Sequence, residues 1–270
     1  MNLFGKDVVI GGFKLSDYGL ILASFDGAND DEELGMTYEV TEEYLGNNPV
    51  PVQLSAKYSN KLAFTMTIIK NTCVSGYDQY FSEHECRQVL RELTGFRGYK
   101  EMQVLSDNPD ELYYFNVRTK DASYKKLNGN VVGIVLDMEC DSQFAWSREY
   151  NYTYDLTPDK QMVFVNTSDD LNSYLLPEIT IIPKNDISNL EITNITDDNR
   201  VTILSNLSAN EIITMNSRRN ILKSSKADRI ILNDFNLQFL RFVNGRNVIT
   251  VNEPCAIKLK FKLPRKVGLV

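Results

Sequence analysis

The stretch that most constrains the fold is Ala256-Ile257-Lys258-Leu259-Lys260-Phe261-Lys262-Leu263, where apolar and basic residues alternate without a break. In extended backbone successive side chains point to opposite sides, so this is a strand with one buried face and one wet face. Its buried face needs a covering layer, and the preceding sequence offers more strands. Phe239, Phe242 and Val243 lead into Asn244-Gly245, and Val248, Ile249 and Val251 lead out. Asn-Gly between two apolar runs predicts a tight hairpin, because both residues tolerate the positive φ of a type I′ turn. The segment 234–270 reads as the closing hairpin of a β-sandwich.

The same pattern runs back through the chain. Pro177 to Pro183, Leu190 to Ile195, Arg200 to Leu204, Glu211 to Asn216 and Ile221 to Lys223 are short strands at the spacing of a sandwich. Nearer the start, Val8 to Leu22, Thr37 to Leu45, Val50 to Tyr58 and Leu62 to Lys70 read as strands, and Leu62, Phe64, Met66 and Ile68 share one face. One helix interrupts them. Ser82-Glu83-His84-Glu85 is a capping box, Phe81 sits at the staple position, and Cys86, Val89, Leu90 and Leu93 form one apolar stripe. Gly95 is expected to stop it in the left-handed conformation. The helix is thus predicted over 83–94, lying across a sheet. Lys100 to Leu105, Leu112 to Arg118 and Asn130 to Cys140 follow as strands, with a turn at Asn128-Gly129. The fold class is mainly β: an N-terminal α+β domain, a β-sandwich-like sheet with one helix, over residues 1–146, and a β-sandwich over 147–270.

Charge and motifs exclude several functions. The net charge of −7 argues against wrapping DNA, which needs a basic footprint. No apolar run approaches 18 residues, so no membrane span is expected, and the first residues lack the apolar core of a signal peptide. Cys73, Cys86, Cys140 and Cys255 are scattered and read as free thiols of a protein made in a reducing cytoplasm. The four Asn-x-Ser/Thr patterns then carry no meaning for glycosylation. There is one histidine, His84, which any serine-, cysteine- or zinc-based site would have to use; its first-turn helical position suits a solvated residue. No phosphate-loop, dinucleotide or zinc-protease motif is present. No enzyme activity, cofactor or metal is expected.

Three clusters remain as candidate surfaces. Leu15 to Ala56 holds no Lys or Arg, while Asp30, Asp31, Glu32, Glu33, Glu42 and Glu43 make it acidic: a solvated loop, or one face of an assembly. Lys258, Lys260 and Lys262 form a basic comb: protection for an edge strand, or a docking face for an acidic neighbour. Trp146, Tyr150, Tyr152 and Tyr154 are either packing at a domain junction or an aromatic platform for sugar, the three tyrosines sharing one face of a strand.

The order Pro177-x-Ile179-x-Ile181, Leu190-x-Ile192-x-Asn194, Ile212-Ile213-Thr214-Met215-Asn216 and Phe239-Leu240-Arg241-Phe242-x-Asn244-Gly245-x-Asn247-x-Ile249 resembles the C-terminal half of the siphophage distal tail proteins. The N-terminal strand LAFTMTIIK and the single helix fit as well, although Asn244 stands where that family usually has proline. The resemblance implies a galectin-like C-terminal sandwich and a structural hub: a homo-hexameric ring, built by the N-terminal domains, joining the tail-tube protein to the tail-tip, baseplate or receptor-binding proteins. It places the protein at the virion tail tip after synthesis in the host bacterial cytoplasm. A carbohydrate-binding module for host glycans is the alternative.

Overall fold

The computed structural model describes residues 7–23, 38–46, 48–58, 61–73, 78–106 and 112–266. They fall into two compact units, one running to Trp146 and joined by Arg265 and Lys266, the other spanning Ser147–Pro264.

The first unit is built from β1 (Val8–Ile10), β2 (Phe13–Lys14), β3 (Leu20–Ala23), β4 (Tyr38–Glu43), β5 (Val52–Tyr58), β6 (Ala63–Lys70), α1 (Glu83–Thr94), β7 (Lys100–Val104), β8 (Tyr113–Leu127), β9 (Asn130–Cys140) and β10 (Ala145–Trp146). Its main sheet has the order β2-β1-β7-β8-β9-β6-β3, with β10 pairing onto β8, and neighbours run antiparallel. Alternation sends Ile10, Met102, Phe115, Val117, Ile134 and Leu136 to one side, all at 0% exposure. Helix α1 adds Cys86, Val89 and Leu93 to that core.

The helix forms for the reason its sequence gives. Ser82 Oγ accepts the Glu85 N–H at 3.3 Å and Glu85 Oε2 accepts the Ser82 N–H at 2.7 Å, so the capping box is complete. Lys70, at 8% exposure, reaches Glu85 Oε1 at 2.6 Å from the sheet. The stop differs from expectation: Gly95 has φ −72°. The glycine is needed for space, because a Cβ there would lie 2.4 Å from the Arg91 carbonyl oxygen.

The two Asn-Gly pairs of the chain behave differently. Asn128 and Gly129 both have positive φ, 48° and 85°, and close the β8–β9 hairpin between paired Leu127 and Asn130. Strand β8 runs on to Leu127, nine residues past the expected end at Arg118, because ladder pairing carries it where side-chain alternation does not. The second pair, Asn244-Gly245, makes no hairpin, and this corrects the sequence reading.

The second unit is a sandwich of β11 (Tyr150–Leu156), β12 (Met162–Asn166), β13 (Glu178–Pro183), β14 (Ile187–Asn194), β15 (Arg200–Leu207), β16 (Ile213–Asn216), β17 (Ile221–Ser224), β18 (Gly245–Val251) and β19 (Cys255–Phe261). One sheet has the order β11-β19-β13-β16-β17, the other β12-β18-β14-β15. Ile179, Ile181, Ile257 and Leu259 from the first share one core with Leu190, Ile192, Leu204 and Ile249 from the second, each at 0–1% exposure.

Residues 236–244 form an irregular strap instead of a strand. Leu240 and Phe242 are fully buried, so the strap's backbone needs partners. Side chains supply most of them. The carbonyl of Gln238 accepts from Thr202 Oγ1, that of Phe239 from Arg200 Nε, that of Leu240 from Ser217 Oγ and that of Arg241 from Asn194 Nδ2. Phe242 exchanges two backbone bonds with Leu175. The Val243 carbonyl accepts from both Asn247 and Asn166. With its neighbours engaged this way, Asn244 keeps a negative φ and only Gly245 turns positive, at 81°.

Candidate interaction surfaces

Among the described residues no group of three or more His, Cys, Asp or Glu side chains could hold a metal ion, and no helix is long and apolar enough to cross a membrane. His84 is exposed on the first turn of α1. All four cysteines are free thiols; Cys86, Cys140 and Cys255 are buried, and burial pushes the Cys140 and Cys255 thiols up to about 12.

Asp30, Asp31, Glu32 and Glu33 lie outside the described residues. Glu42 and Glu43 end β4, which pairs with β5 and, among the described residues, with no other strand. This two-stranded ribbon exposes apolar side chains among acidic ones. Val40 pairs with Ala56 and Glu43 with Val52, and between the pairs Thr41–Ser55 and Glu42–Gln53 the register shifts, leaving Leu54 as the extra residue on β5. Val40 is 50% exposed, Leu54 57% and, at the tip, Tyr44 66%. An isolated two-stranded ribbon is marginal in water, and a contiguous exposed apolar face marks an interaction site. Sequence periodicity located both strands but not their isolation. The signal that could have found it is Val52-x-Leu54-x-Ala56, an apolar face in a stretch where the partner strand is acidic.

A second open edge lies on β8. Strand β7 covers β8 only from Tyr113 to Val117. Beyond Val117 that side has no strand partner among the described residues, and residues 120–127 are all exposed. The stretch carries Arg118, Lys120, Lys125 and Lys126 against Asp121. At its start Arg118, Lys120 and Lys61 surround Glu139, with Arg118 at 3.0 Å. Burial pushes the Glu139 carboxyl up, but Arg118 and the Tyr99 hydroxyl outweigh it and hold the group below its usual value.

The lysine comb sits on β19, which is flanked by β11 and β13. It is an interior strand, so lysine as edge protection does not apply there. Lys258 and Lys260 are exposed on the outer face and Lys262 just beyond is half-buried; Lys260 pairs with Glu149 at 3.1 Å. Lys258 stands between Thr153 and Thr180 on the neighbouring strands.

Trp146 is on β10 of the first unit, whereas Tyr150, Tyr152 and Tyr154 lie along β11 of the second. The tyrosine rings are 6.1 and 6.3 Å apart in sequence. Tyr150 and Tyr154 pack against the sandwich core, and Tyr152 meets Phe164 and Phe261. The row closes an open side of the core, and burial raises the Tyr154 phenol above its usual value.

Missed from sequence altogether is a buried ionic cluster. Glu211, whose side chain is fully buried, takes two bonds from Arg229 and one from Ser224, and Arg229 also holds Asp234. It pins the loop after β17. The shallow depression beside it is lined in part by Arg229 and Asp234 of this network and by Asn206, which donates to Asp234.

Comparison with known proteins gives two consecutive matches. The family described as phage tail protein N-terminal domain matches residues 4–142, and the one described as phage tail C-terminal domain matches residues 144–261. No curated protein sequence matches. Among solved structures, the Dit (gp 19.1) protein of phage SPP1, described as a paradigm of the hub adsorption apparatus in phages infecting Gram-positive hosts, shares the fold. It has 12% identity and a TM-score of 0.66, over 96% of this chain and 99% of that one. Chains of the phage P2 baseplate in its activated conformation, with calcium and with strontium, align at 9% and 10% identity over 98% of this chain and 99% of theirs, each with a TM-score of 0.45.

Proposed function

Since the chain belongs to the phage tail proteins defined by that N-terminal and C-terminal pair of domains, we propose that it is a structural hub of the tail tip. Copies assemble head to tail through the first unit into a ring, a hexamer, which joins the tail-tube protein to the baseplate or receptor-binding proteins. The protein acts by assembly and carries out no turnover. It is made in the host cytoplasm and ends in the virion.

The observation that carries this reading is the β4–β5 ribbon, whose apolar side chains Val40, Val52 and Leu54 stand exposed and which pairs, among the described residues, with no other strand of its own chain. A ring of identical copies needs each subunit to offer two different faces, and the ribbon is one of them. Support for the hub position comes from the fold shared with the SPP1 protein. A glycan-reading role has less behind it, because two of the three tyrosines proposed as a platform pack into the core.

Native mass spectrometry and negative-stain microscopy of the purified chain test the proposal. A discrete closed ring of six is expected. A strict monomer at every concentration, also after addition of tail-tube protein, sinks it.

A further inference from the structure

The ribbon is one face of the head-to-tail contact, and the other face can be located on the same unit. We infer that β4 of one copy adds to the open edge of β8 in a second copy, over residues 118–127, so that the sheet continues from subunit to subunit. The inference rests on the ring reading and names the surfaces it uses.

Three observations lead there. First, each partner has a backbone edge to give. Among the described residues strand β4 is hydrogen-bonded only to β5, and β8 loses β7 after Val117. Unpaired edges of this kind accept a strand from another chain. Second, the lengths fit. The six residues of β4 span about 20 Å and the open part of β8 about 33 Å, at about 3.3 Å per residue. Third, the charges are opposite. Strand β4 carries Glu39, Glu42 and Glu43, whereas the β8 edge carries Lys120, Lys125 and Lys126. Glu42, Glu43, Lys125 and Lys126 form no ion pair with one another or with other described residues. Of the ribbon's two strands β4 is the one to dock, because β5 contributes Lys57. Opposite charge sets register and encounter rate, while the ladder supplies affinity. A donor ribbon and an acceptor edge on every copy make the contact heterologous, as a closed ring requires.

The test uses two full-length variants, Glu42→Lys with Glu43→Lys, and Lys125→Glu with Lys126→Glu. All four positions are exposed, and circular dichroism checks the fold. Each variant alone should assemble at a midpoint concentration raised by about tenfold or more at low salt, since like charges then face each other. Mixed in equal amounts, the two should recover assembly, because each reversed ribbon meets a reversed edge. Native mass spectrometry should then show rings with the two variants in equal numbers. Single variants that assemble like the wild type, or a mixture that does not recover, overturn the pairing. A wild-type chain that never forms a ring sinks the ring reading itself, and the pairing with it.

Discussion

Asn247 is the position at which the strap can be tested most sharply. Its side chain is completely buried. Oδ1 accepts the Val243 N–H at 2.9 Å and Asn194 Nδ2 at 3.1 Å, and Nδ2 donates to the Val243 and Gly245 carbonyls at 2.9 and 3.0 Å. In Asn247→Ala the Val243 N–H is orphaned, at a cost of about 1–3 kcal/mol, and each of the other three bonds forfeits about 0.5–1.5 kcal/mol. The Val243 carbonyl keeps Asn166 and Asn194 keeps the Arg241 carbonyl, and water entering the gap recovers part of the rest. A destabilisation of about 3–4 kcal/mol is expected, or about 12–16 °C in Tm at about 4 °C per kcal/mol. Asn247→Asp keeps both acceptor contacts but sets a carboxylate against two carbonyls. It should destabilise strongly at neutral pH and partly recover in acid, where the protonated group donates again. Urea melts followed by circular dichroism and limited proteolysis measure the effect. The only tryptophan, Trp146, belongs to the other unit, so its fluorescence serves as an internal control that should not move. A loss below about 1 kcal/mol in Asn247→Ala would refute the account of the strap as held by side-chain amides.

Further outcomes follow from other sites. Arg229→Ala leaves the buried Glu211 carboxylate without its cation and should cost about 3–5 kcal/mol in a thermal melt, whereas Glu211→Gln with Arg229→Met should cost much less. Glu85 is pushed up by burial but held below its ordinary value of 4.5 overall by Lys70 and Ser82. A lowered folded pKa gives stability that is present above 4.5 and lost as the pH falls through the folded value; Glu85→Gln should flatten that acid limb in a pH series of unfolding curves. Gly95→Ala should lower the Tm of the first unit, read by Trp146 fluorescence, because the added Cβ meets the Arg91 carbonyl. Leu54→Lys should leave the monomer's melting curve unchanged while abolishing rings on a sizing column.

Helix α1 was legible because all its determinants are local: a cap, a reciprocal glutamate and a stripe at helical spacing. Leu62 to Lys70 and the sandwich strands were legible because one buried face imposes alternation. The distal half of β8 was not, since Lys120-Asp121-Ala122-Ser123 is exposed on both faces and has no pattern to show. The lysine comb announced a strand but not its neighbours, so its interior place in the sheet was invisible. The strap failed for a different reason. Its apolar residues mimic a strand, but its backbone is satisfied by donors spread from Asn166 to Asn247, and no window of sequence contains them together. The ribbon lies between these cases: its strands could be read, its lack of cover could not.

That spread of donors also sets when the strap can form during folding. Thr202, Ser217, Asn194 and Asn247 sit on or beside different strands of two sheets, so their hydroxyls and amides converge only after both sheets have docked. The strap should therefore be absent from the transition state and close last. Weakening it should accelerate unfolding while leaving the refolding rate nearly unchanged. The segment most specific to this scaffold would then govern how long the sandwich lasts, and contribute little to how fast it is made.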